Sequence, residues 1–491
     1  MQAKPDPSRC ASRHVGLVCL RGAAALALCT ALGLAGCQTL PAPLAPPATG
    51  AAALPAVRVQ GVRGALSAAQ SRQLLDGLRN RRQDTDIFDR HLAVEEALAD
   101  GPLTAGNAVV LLQDGPATYA AMLQAIAGAR DHINLETYIL DDDAVGQRFA
   151  QALLAKRRQG VQVNLIHDSV GTLFTPREFF QRLREGGVQV LEYNPANPLR
   201  AWQAGRDWSP NQRDHRKLLI VDGATAFLGG INISSVYSGS SRLHRQAVPP
   251  PDSATPAAAL PLRWRDTDLQ LQGPVVADLQ RLFLASWLQQ SGAPPGPGDF
   301  FPPLPAVGRQ VVRAIGSTPT QDSTSPIYAT LLSAIGSAET TVHITMAYFA
   351  PDPPMLAALS DAATRGVDVQ LILPSKTDSW LVFHAGRGHY DTLLQAGVKI
   401  HERQGVVLHA KTALVDGVWS TVGSTNMDWR SLVHNQEVNA VVLGTEFGDQ
   451  LQRMFNSDRQ DSEPVLLPAW RQRPWLARLQ EFFASLWQYW L

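Results

Sequence analysis

The chain has 491 residues, of which 45% are hydrophobic, enough for a protein with a substantial core and more than one domain. Lysine plus arginine and aspartate plus glutamate both number 43, so the formal net charge is zero. A protein that follows nucleic-acid phosphates usually carries a basic excess, so no nucleic-acid partner is expected.

The N-terminus has the pattern of a bacterial export signal. Basic residues precede an apolar run over 22–36 that is too short for a comfortable membrane span. The run ends in Leu34-Ala-Gly-Cys37, which resembles the lipobox of bacterial lipoproteins, where the cysteine is acylated. We therefore predict a lipoprotein signal peptide over 1–36 and lipidation at Cys37. A plain signal peptide or a short anchor is the alternative.

All four cysteines lie at or before Cys37, so the mature chain would contain no disulfide. Gln38 follows the cysteine, where an aspartate would favour inner-membrane retention in the lipoprotein families. We expect a membrane-anchored protein of the cell envelope that faces the periplasm, in the outer rather than the inner membrane. Residues 41–55 are almost only Pro, Ala, Leu, Gly and Thr, so we predict a tether over 37–65.

The body of the chain contains an internal repeat. Three segments of the first half resemble three of the second in the same order: Ala125–Glu136 with Ser333–Ile344, Arg158–Ile166 with Thr364–Ile372, and Glu185–Val190 with Gln395–Ile400. Each unit is an amphipathic helix, a glycine and an apolar β-rich run, which is typical of an α/β sheet covered on both faces. We predict two duplicated halves, over 66–290 and 309–460.

Two Pro-rich segments interrupt this pattern. Residues 291–308 are dense in Pro and Gly and are predicted to link the halves, while residues 247–261 are predicted to form a surface loop inside the first half.

Each half contains a histidine and a lysine two residues apart, followed by an aspartate: His215, Lys217 and Asp222, then His409, Lys411 and Asp416. In an extended chain the histidine and lysine point to the same face. An imidazole beside an ammonium is unfavourable when buried without an anion, and a phosphate accommodates both.

A turn of small residues follows each motif. The amide and hydroxyl groups of Asn232 and Ser234, and of Ser424 and Asn426, are candidate donors to phosphate oxygens. Asp222 and Asp416 each precede a glycine, so they are candidates either for catalysis or for holding a turn between strands.

The paired motifs resemble the HKD motifs of the phospholipase D superfamily. Further segments resemble bacterial cardiolipin synthases in particular, and the similarity extends from about residue 105 to the C-terminus: Asn134–Leu140, Arg263–Thr267, Gln272–Val276, Tyr348–Pro351 and Val422–Asp428. The resemblance implies two α/β/α sandwich halves packed around one pseudo-twofold site, without a metal or a cofactor. The lipoprotein-like signal and the long Pro/Ala loop depart from the family pattern.

The same resemblance implies the mechanism. One histidine attacks the phosphorus while the other protonates the leaving alcohol. His215 is preferred as the nucleophile and His409 as the acid and base, although the assignment stays open. Lys217 and Lys411 would neutralise the phosphate oxygens. Asp266 and Glu437 match the acidic positions that orient the histidines in the family.

The expected activity is a phosphatidyltransferase that makes cardiolipin from phosphatidylglycerol, or from a related phospholipid such as phosphatidylethanolamine. The alternative is a phospholipase D-type hydrolase, which uses water as the acceptor and acts on phospholipids or, less favoured, on nucleic acid. A non-catalytic scaffold is disfavoured because both motifs are intact.

The C-terminal segment 461–491 is amphipathic and rich in tryptophan from Pro474 onwards. Its apolar face is predicted either to dock on the core or to lie on a membrane surface. The oligomeric state stays open.

Overall fold

The structure is a computed structural model that describes residues 56–79, 85, 87–99, 101–195, 211–239, 263–318 and 325–488. The predicted signal peptide, Cys37, most of the tether, the Pro-rich segment 247–261 and the last three residues lie outside the described residues.

The strands of the N-terminal segment and the first half are β1 (Val59–Gly61), β2 (Gly64–Ala65), β3 (Leu103–Leu112), β4 (His132–Thr137), β5 (Gln162–Asp168), β6 (Gln189–Tyr193), β7 (Arg213–Asp214), β8 (Leu218–Val221), β9 (Thr225–Gly229), β10 (Trp264–Arg265) and β11 (Asp268–Gln272). The strands of the second half are β12 (Gln310–Ser317), β13 (Thr341–Met346), β14 (Asp368–Pro374), β15 (Lys399–Arg403), β16 (Val407–Leu408), β17 (Lys411–Val415), β18 (Trp419–Gly423), β19 (Asn435–Leu443) and β20 (Ser462–Val465).

The α-helices are α1 (Ala68–Leu78), α2 (Leu92–Leu98), α3 (Gly115–Gly128), α4 (Ala144–Arg158), α5 (Arg177–Glu185), α6 (Val275–Ser291), α7 (Pro326–Gly336), α8 (Pro353–Thr364), α9 (Trp380–Arg387), α10 (Tyr390–Gln395), α11 (Thr445–Gln460), α12 (Leu467–Arg471) and α13 (Trp475–Ser485). Short π-helical turns span Ile87–His91 and Arg430–His434, and a 3-10 turn spans Ser235–Tyr237.

One continuous sheet runs through both halves. Its strand order is β6, β5, β4, β8, β9, β11, β3 in the first half and β12, β19, β18, β17, β13, β14, β15 in the second. The antiparallel pair β3 and β12 joins the two, so the second half repeats the first in reverse order about a pseudo-twofold axis. The predicted duplicated α/β fold is confirmed.

The predicted helix stops are also present. Gly160 follows α4 with φ 91° and Gly366 follows α8 with φ 98°, and glycine adopts this backbone region without a Cβ penalty. The apolar runs after them form the buried parallel strands β5 and β14.

The N-terminal boundary differs from the prediction. Val59 is fully buried and pairs with Leu103, so the folded body begins inside the segment predicted as a tether. The described residues between 59 and 98 pack on the core of the second half, where Glu95 lies 3.4 Å from Arg313 and accepts a hydrogen bond of 3.0 Å from Trp419. The first half therefore begins at β3 rather than at residue 66, because the apolar side chains before β3 are buried by long-range partners.

The C-terminal segment extends the second half. β20 pairs with the edge strand β15, and α13 packs on α9 through Ala484, Val382 and Ala385. Among the described residues, none of the helices combines the length and the apolar character needed to cross a membrane.

Candidate active site

The two His-x-Lys motifs lie where short strands of one half pair with strands of the other half. β7 pairs with β19 of the other half, and β10 pairs with β16. At the ends of these ladders the His215 amide donates to Gln436 O at 3.0 Å, and the His409 amide donates to Arg265 O at 2.7 Å. Each histidine is thus held by the backbone of the opposite half.

A carboxylate from the opposite half of the protein contacts Nδ1 of each histidine. His215 Nδ1 lies 2.9 Å from Glu437 Oε1, and His409 Nδ1 lies 2.6 Å from Asp266 Oδ2. Both carboxylates are buried, and both occupy the same position relative to the sheet. A carboxylate that accepts from Nδ1 leaves Nε2 without a proton, so each ring presents Nε2 as a base or nucleophile.

The two lysines lie beside the histidines and are equally buried. Lys217 Nζ donates to His215 O at 2.6 Å, and Lys411 Nζ donates to His409 O. Lys411 Nζ also lies 3.0 Å from His409 Nδ1. An ammonium has three donors, so each lysine keeps capacity for a phosphate oxygen.

Burial and mutual repulsion set the protonation of these groups. Burial lowers the pKa of His215 well below its ordinary value, and the charges of Lys217 and Lys411 lower it further. The pKa of His409 is lowered by burial and by Lys411, but the charge and the hydrogen bond of Asp266 oppose the shift. These directions agree with the predicted roles of His215 as a neutral nucleophile and His409 as a proton carrier.

Two more pKa values lie close to neutrality. Burial lowers the pKa of Lys217 to about 7, against the opposing charge of Glu437. Burial raises the pKa of Glu437 to about 7, although Lys217 and the Ser424 hydroxyl counteract the shift. An anionic phosphate would restore the lysine ammonium on binding.

The two serines predicted as phosphate donors make hydrogen bonds within the protein. The Ser424 hydroxyl donates to Glu437, and it accepts from Val438 N at 3.0 Å. The Ser234 hydroxyl accepts from Val236 N at 3.4 Å at the start of the 3-10 turn and interacts with Asp141. Their hydrogen bonds are made to the protein, so Ser424 positions an acid and Ser234 caps a turn.

The two asparagines lie at equivalent positions, each beside an isolated bridge between a site loop and the following turn. Asn232 donates to Tyr237 Oη at 3.0 Å, and that hydroxyl lies 3.4 Å from His409 Nδ1. Asn426 donates to Ser431 at 3.4 Å, and its Oδ1 has no partner among the described residues. Both stay candidates for phosphate binding.

Asp222 and Asp416 lie in turns between strands, which supports the turn interpretation over a catalytic role. Both have a positive φ, of 51° and 50°. Asp222 accepts from the amides of residues 130–132, and Asp416 from those of residues 339–341, at the amino ends of β4 and β13. The histidines lie near the opposite ends of these strands, roughly 20 Å away at the usual rise of a strand.

Four aromatic residues contact the histidines, although no role at the site was predicted for them from the sequence. The rings of Tyr138 and His215 are 5.1 Å apart, and those of Tyr348 and His409 are 5.7 Å apart. Tyr237 and Trp264 also contact His409. Tyr138 and Tyr348 follow the equivalent strands β4 and β13, so their equivalent positions in the repeat could have predicted a role at the site. Tyr237 and Trp264 are not a repeated pair, so the repeat gave no such indication for them.

Comparison with known proteins identifies the family of the chain. The family model described as "Cardiolipin synthase, PLD-like domain" matches residues 122–240 and 331–459. Cardiolipin synthase of Geobacillus thermodenitrificans strain NG80-2 is 32% identical over 399 residues, which cover 81% of this chain and 74% of that protein. Cardiolipin synthase A of Pseudomonas putida strain GB-1 is 35% identical over 370 residues, which cover 74% of this chain and 71% of that protein.

Among solved structures, the phosphatidylserine synthase of Haemophilus influenzae Rd KW20 superposes with a TM-score of 0.55 at 12% identity, covering 81% of this chain and 99% of that one. At that identity the likeness extends to the fold alone. The family model and the curated relatives establish that this chain belongs to the cardiolipin synthase family of phospholipase D-like proteins.

Proposed function

We propose that this protein is a phosphatidyltransferase that makes cardiolipin from phosphatidylglycerol through a covalent phosphohistidine. The observation that carries the proposal is the pair of buried His-x-Lys motifs, each backed by an acid from the opposite half. The curated relatives named cardiolipin synthase support the choice of substrate and product.

In the first step His215 Nε2 attacks the phosphorus of one phosphatidylglycerol. The phosphorus–oxygen bond to the headgroup glycerol breaks, and His409 gives its proton to the departing oxygen. Lys217 and Lys411 stabilise the charge on the phosphate oxygens as it develops. The product is a phosphatidyl group bound to His215 and a free glycerol.

In the second step His409, now neutral, removes the proton from the glycerol hydroxyl of a second phosphatidylglycerol. That oxygen attacks the phosphorus, the bond to His215 breaks, and cardiolipin leaves. Two phosphatidylglycerols thus give one cardiolipin and one glycerol. Phosphatidylethanolamine as the donor would release ethanolamine by the same steps.

The proposal includes the location of the enzyme. We infer that acylation at Cys37 anchors it in the cell envelope, facing the periplasm, in the outer rather than the inner membrane. The lipobox-like sequence before Cys37 supports this inference. Mass analysis of the N-terminal peptide tests it: an acylated Cys37 is expected, and an unmodified cysteine that remains attached to residues 1–36 contradicts it.

The activity is tested with labelled phosphatidylglycerol in mixed micelles, followed by lipid chromatography. The wild type is expected to yield cardiolipin and glycerol, and His215→Asn and His409→Asn to yield neither. Phosphatidic acid as the main product would make the protein a hydrolase. Equal turnover in all three proteins would overturn the paired-histidine mechanism.

A further inference from the structure

Helix α13 buries Glu481 and Ala484 and turns its large apolar side chains outwards. Ala484 is fully buried against Val382 and Ala385 of α9. The opposite face carries six exposed apolar side chains at helical spacing: Trp475, Leu476, Leu479, Phe482, Phe483 and Leu486. Trp475 is 74% exposed. A helix that only completed a core would bury its aromatic face, so this face is available to something outside the described residues.

Helices α9 and α13 pack together beside the active site. Tyr348, whose ring contacts His409, packs against the cluster formed by α9 and α13, and its hydroxyl donates to Asp378 at 2.7 Å. Trp380 and Leu381 of α9 are exposed as well. We call Trp380, Leu381 and the exposed face of α13 the second flank.

The first half carries a corresponding surface. The loop after β5 exposes Val170, Leu173 and Phe174, and Phe174 is 94% exposed. This loop packs closely on Tyr138, because a Cβ at Gly171 would lie 2.0 Å from the Tyr138 carbonyl oxygen. We call these three apolar side chains the first flank.

The pseudo-twofold axis relates the first flank to the Trp380 and Leu381 part of the second flank. These two parts follow β5 and β14, which are equivalent strands that end on the side of the sheet where the histidines lie. Helix α13 has no counterpart among the described residues of the first half and extends the second flank by packing on α9. Each flank stands next to a tyrosine that contacts a histidine. An apolar surface that covers both flanks would therefore also cover the mouth of the site between them.

We propose that the two flanks seat the protein on a phospholipid bilayer, with the mouth of the site facing the lipid. Donor and acceptor then reach the histidines from the membrane without crossing water. The proposal rests on the proposed function, because it assigns the route of the same substrates.

Two features favour a bilayer over another protein chain. A second copy that covered both flanks would close the mouth through which a two-chain lipid must pass. The exposed Arg478 lies on α13 next to its apolar face, and basic residues at the edge of such a helix suit anionic lipid headgroups.

Docking is tested with a fluorophore placed on each flank. All four native cysteines lie at or before residue 37, so a chain that begins at residue 38 contains no thiol except an introduced one. Phe174→Cys and Phe482→Cys are labelled with a polarity-sensitive dye and mixed with vesicles of phosphatidylcholine and phosphatidylglycerol. Val62→Cys is the matched control. Val62 is 50% exposed near the start of β3, at the end of the strand that lies away from the histidines.

We expect the emission to shift to the blue at both flanks and to stay unchanged at residue 62. No shift at residue 174, or none at residue 482, overturns the proposal. A wild type that is dimeric in solution, and that flank substitutions to serine convert to a monomer without any vesicle-induced shift, also overturns it in favour of a second copy.

Activity gives the second test. The double variant Leu173→Ser, Phe174→Ser is expected to turn over phosphatidylglycerol in vesicles roughly tenfold or more slowly, the factor from burying one aromatic side chain. Its turnover of short-chain phosphatidylglycerol, dissolved below its micelle concentration, is expected to match the wild type. Val62→Ser with Val307→Ser is the control and keeps both rates.

An equal loss on dissolved and vesicle substrates would place these side chains inside the site and overturn the docking role. Failure of the proposed function is distinguishable: the wild type would make cardiolipin from neither form of the substrate, while the fluorescence would still report whether the flanks enter the bilayer.

Discussion

Among the individual residues, Ser424, which was predicted to donate to phosphate, forms a hydrogen-bonded pair with Glu437 in the structure. The Ser424 hydroxyl donates to Glu437, which in turn lies behind His215. A hydrogen bond to a carboxylate favours its charged form, so the serine helps to keep Glu437 ionised next to the histidine.

Ser424→Ala is expected to lower kcat at pH 7 with little effect on KM. Without its donor, Glu437 has a higher pKa and is more often protonated, so the fall of activity on the acid side moves to higher pH. Steady-state kinetics against pH measure this. Ser420→Ala is the matched control, because the Ser420 hydroxyl is buried without a partner among the described residues. A raised KM with an unmoved pH profile would restore the phosphate-donor role.

The pH dependence of kcat/KM follows from two groups with pKa values of about 7. The carboxylate of Glu437 is lost as the pH falls through its raised pKa, and the ammonium of Lys217 is lost as the pH rises through its lowered pKa. We expect a bell-shaped profile with its maximum near neutrality. Glu437→Gln removes the acid limb, and Lys217→Met removes the alkaline limb. A profile that is flat from pH 6 to pH 8 contradicts this assignment.

Among the elements of secondary structure, the turn after β9 sets the position of Asp266. A Cβ on Gly230 would lie 2.3 Å from Asp266 Oδ1, so any larger residue displaces the carboxylate from His409. In the second half Ser424 occupies the equivalent position and contacts the acid instead. The two acids are thus positioned by different means at equivalent places.

Gly230→Ala is expected to reduce kcat on the order of 100-fold, since small displacements of catalytic groups have effects of that size. Gly128→Ala is the control, because no other side chain or backbone atom lies within 4 Å of a Cβ there. Both variants are compared by kcat and by thermal unfolding. A Gly230→Ala variant with wild-type kcat would show that Asp266 need not stay where it is.

The elements also show how far the sequence could be interpreted. The strand and helix pattern of each half repeats along the chain, so the duplicated fold and the two His-x-Lys motifs were predictable from local spacing. The packing of residues 59–98 on the second half was not, because Glu95 and Trp419 are far apart in sequence and no local pattern records their contact. The sequence of the C-terminal helix predicted an apolar face but not that this face is exposed, since the helix docks through Ala484 and through Glu481, which pairs with Arg473.

For the molecule as a whole, the N-terminal segment stabilises the second half through a buried ionic network. Glu95 is fully buried between Arg313, Trp419 and His91. Removing this carboxylate takes the acceptor away from Trp419 and leaves the buried Arg313 with the partly exposed Glu96 as its ionic partner.

Glu95→Ala is therefore expected to lower the free energy of unfolding by about 3 to 5 kcal/mol, the usual cost of breaking a buried ion pair. Urea unfolding followed by circular dichroism measures it. Asp391→Ala, which breaks the exposed pair with Arg471, is the control and is expected to change little. Equal effects of the two substitutions would show that the N-terminal segment is not part of the cooperative fold.

The division of labour between the histidines is the claim on which the mechanism depends. A phosphatidyl ester of p-nitrophenol tests it most directly, because this leaving group departs without a proton and the first step no longer needs His409. His409→Asn is expected to release one p-nitrophenolate per enzyme in a burst and then stop, with the phosphatidyl group on His215, while His215→Asn shows no burst. A burst in His215→Asn with the adduct on His409, or sustained turnover in both variants, would contradict the assignment.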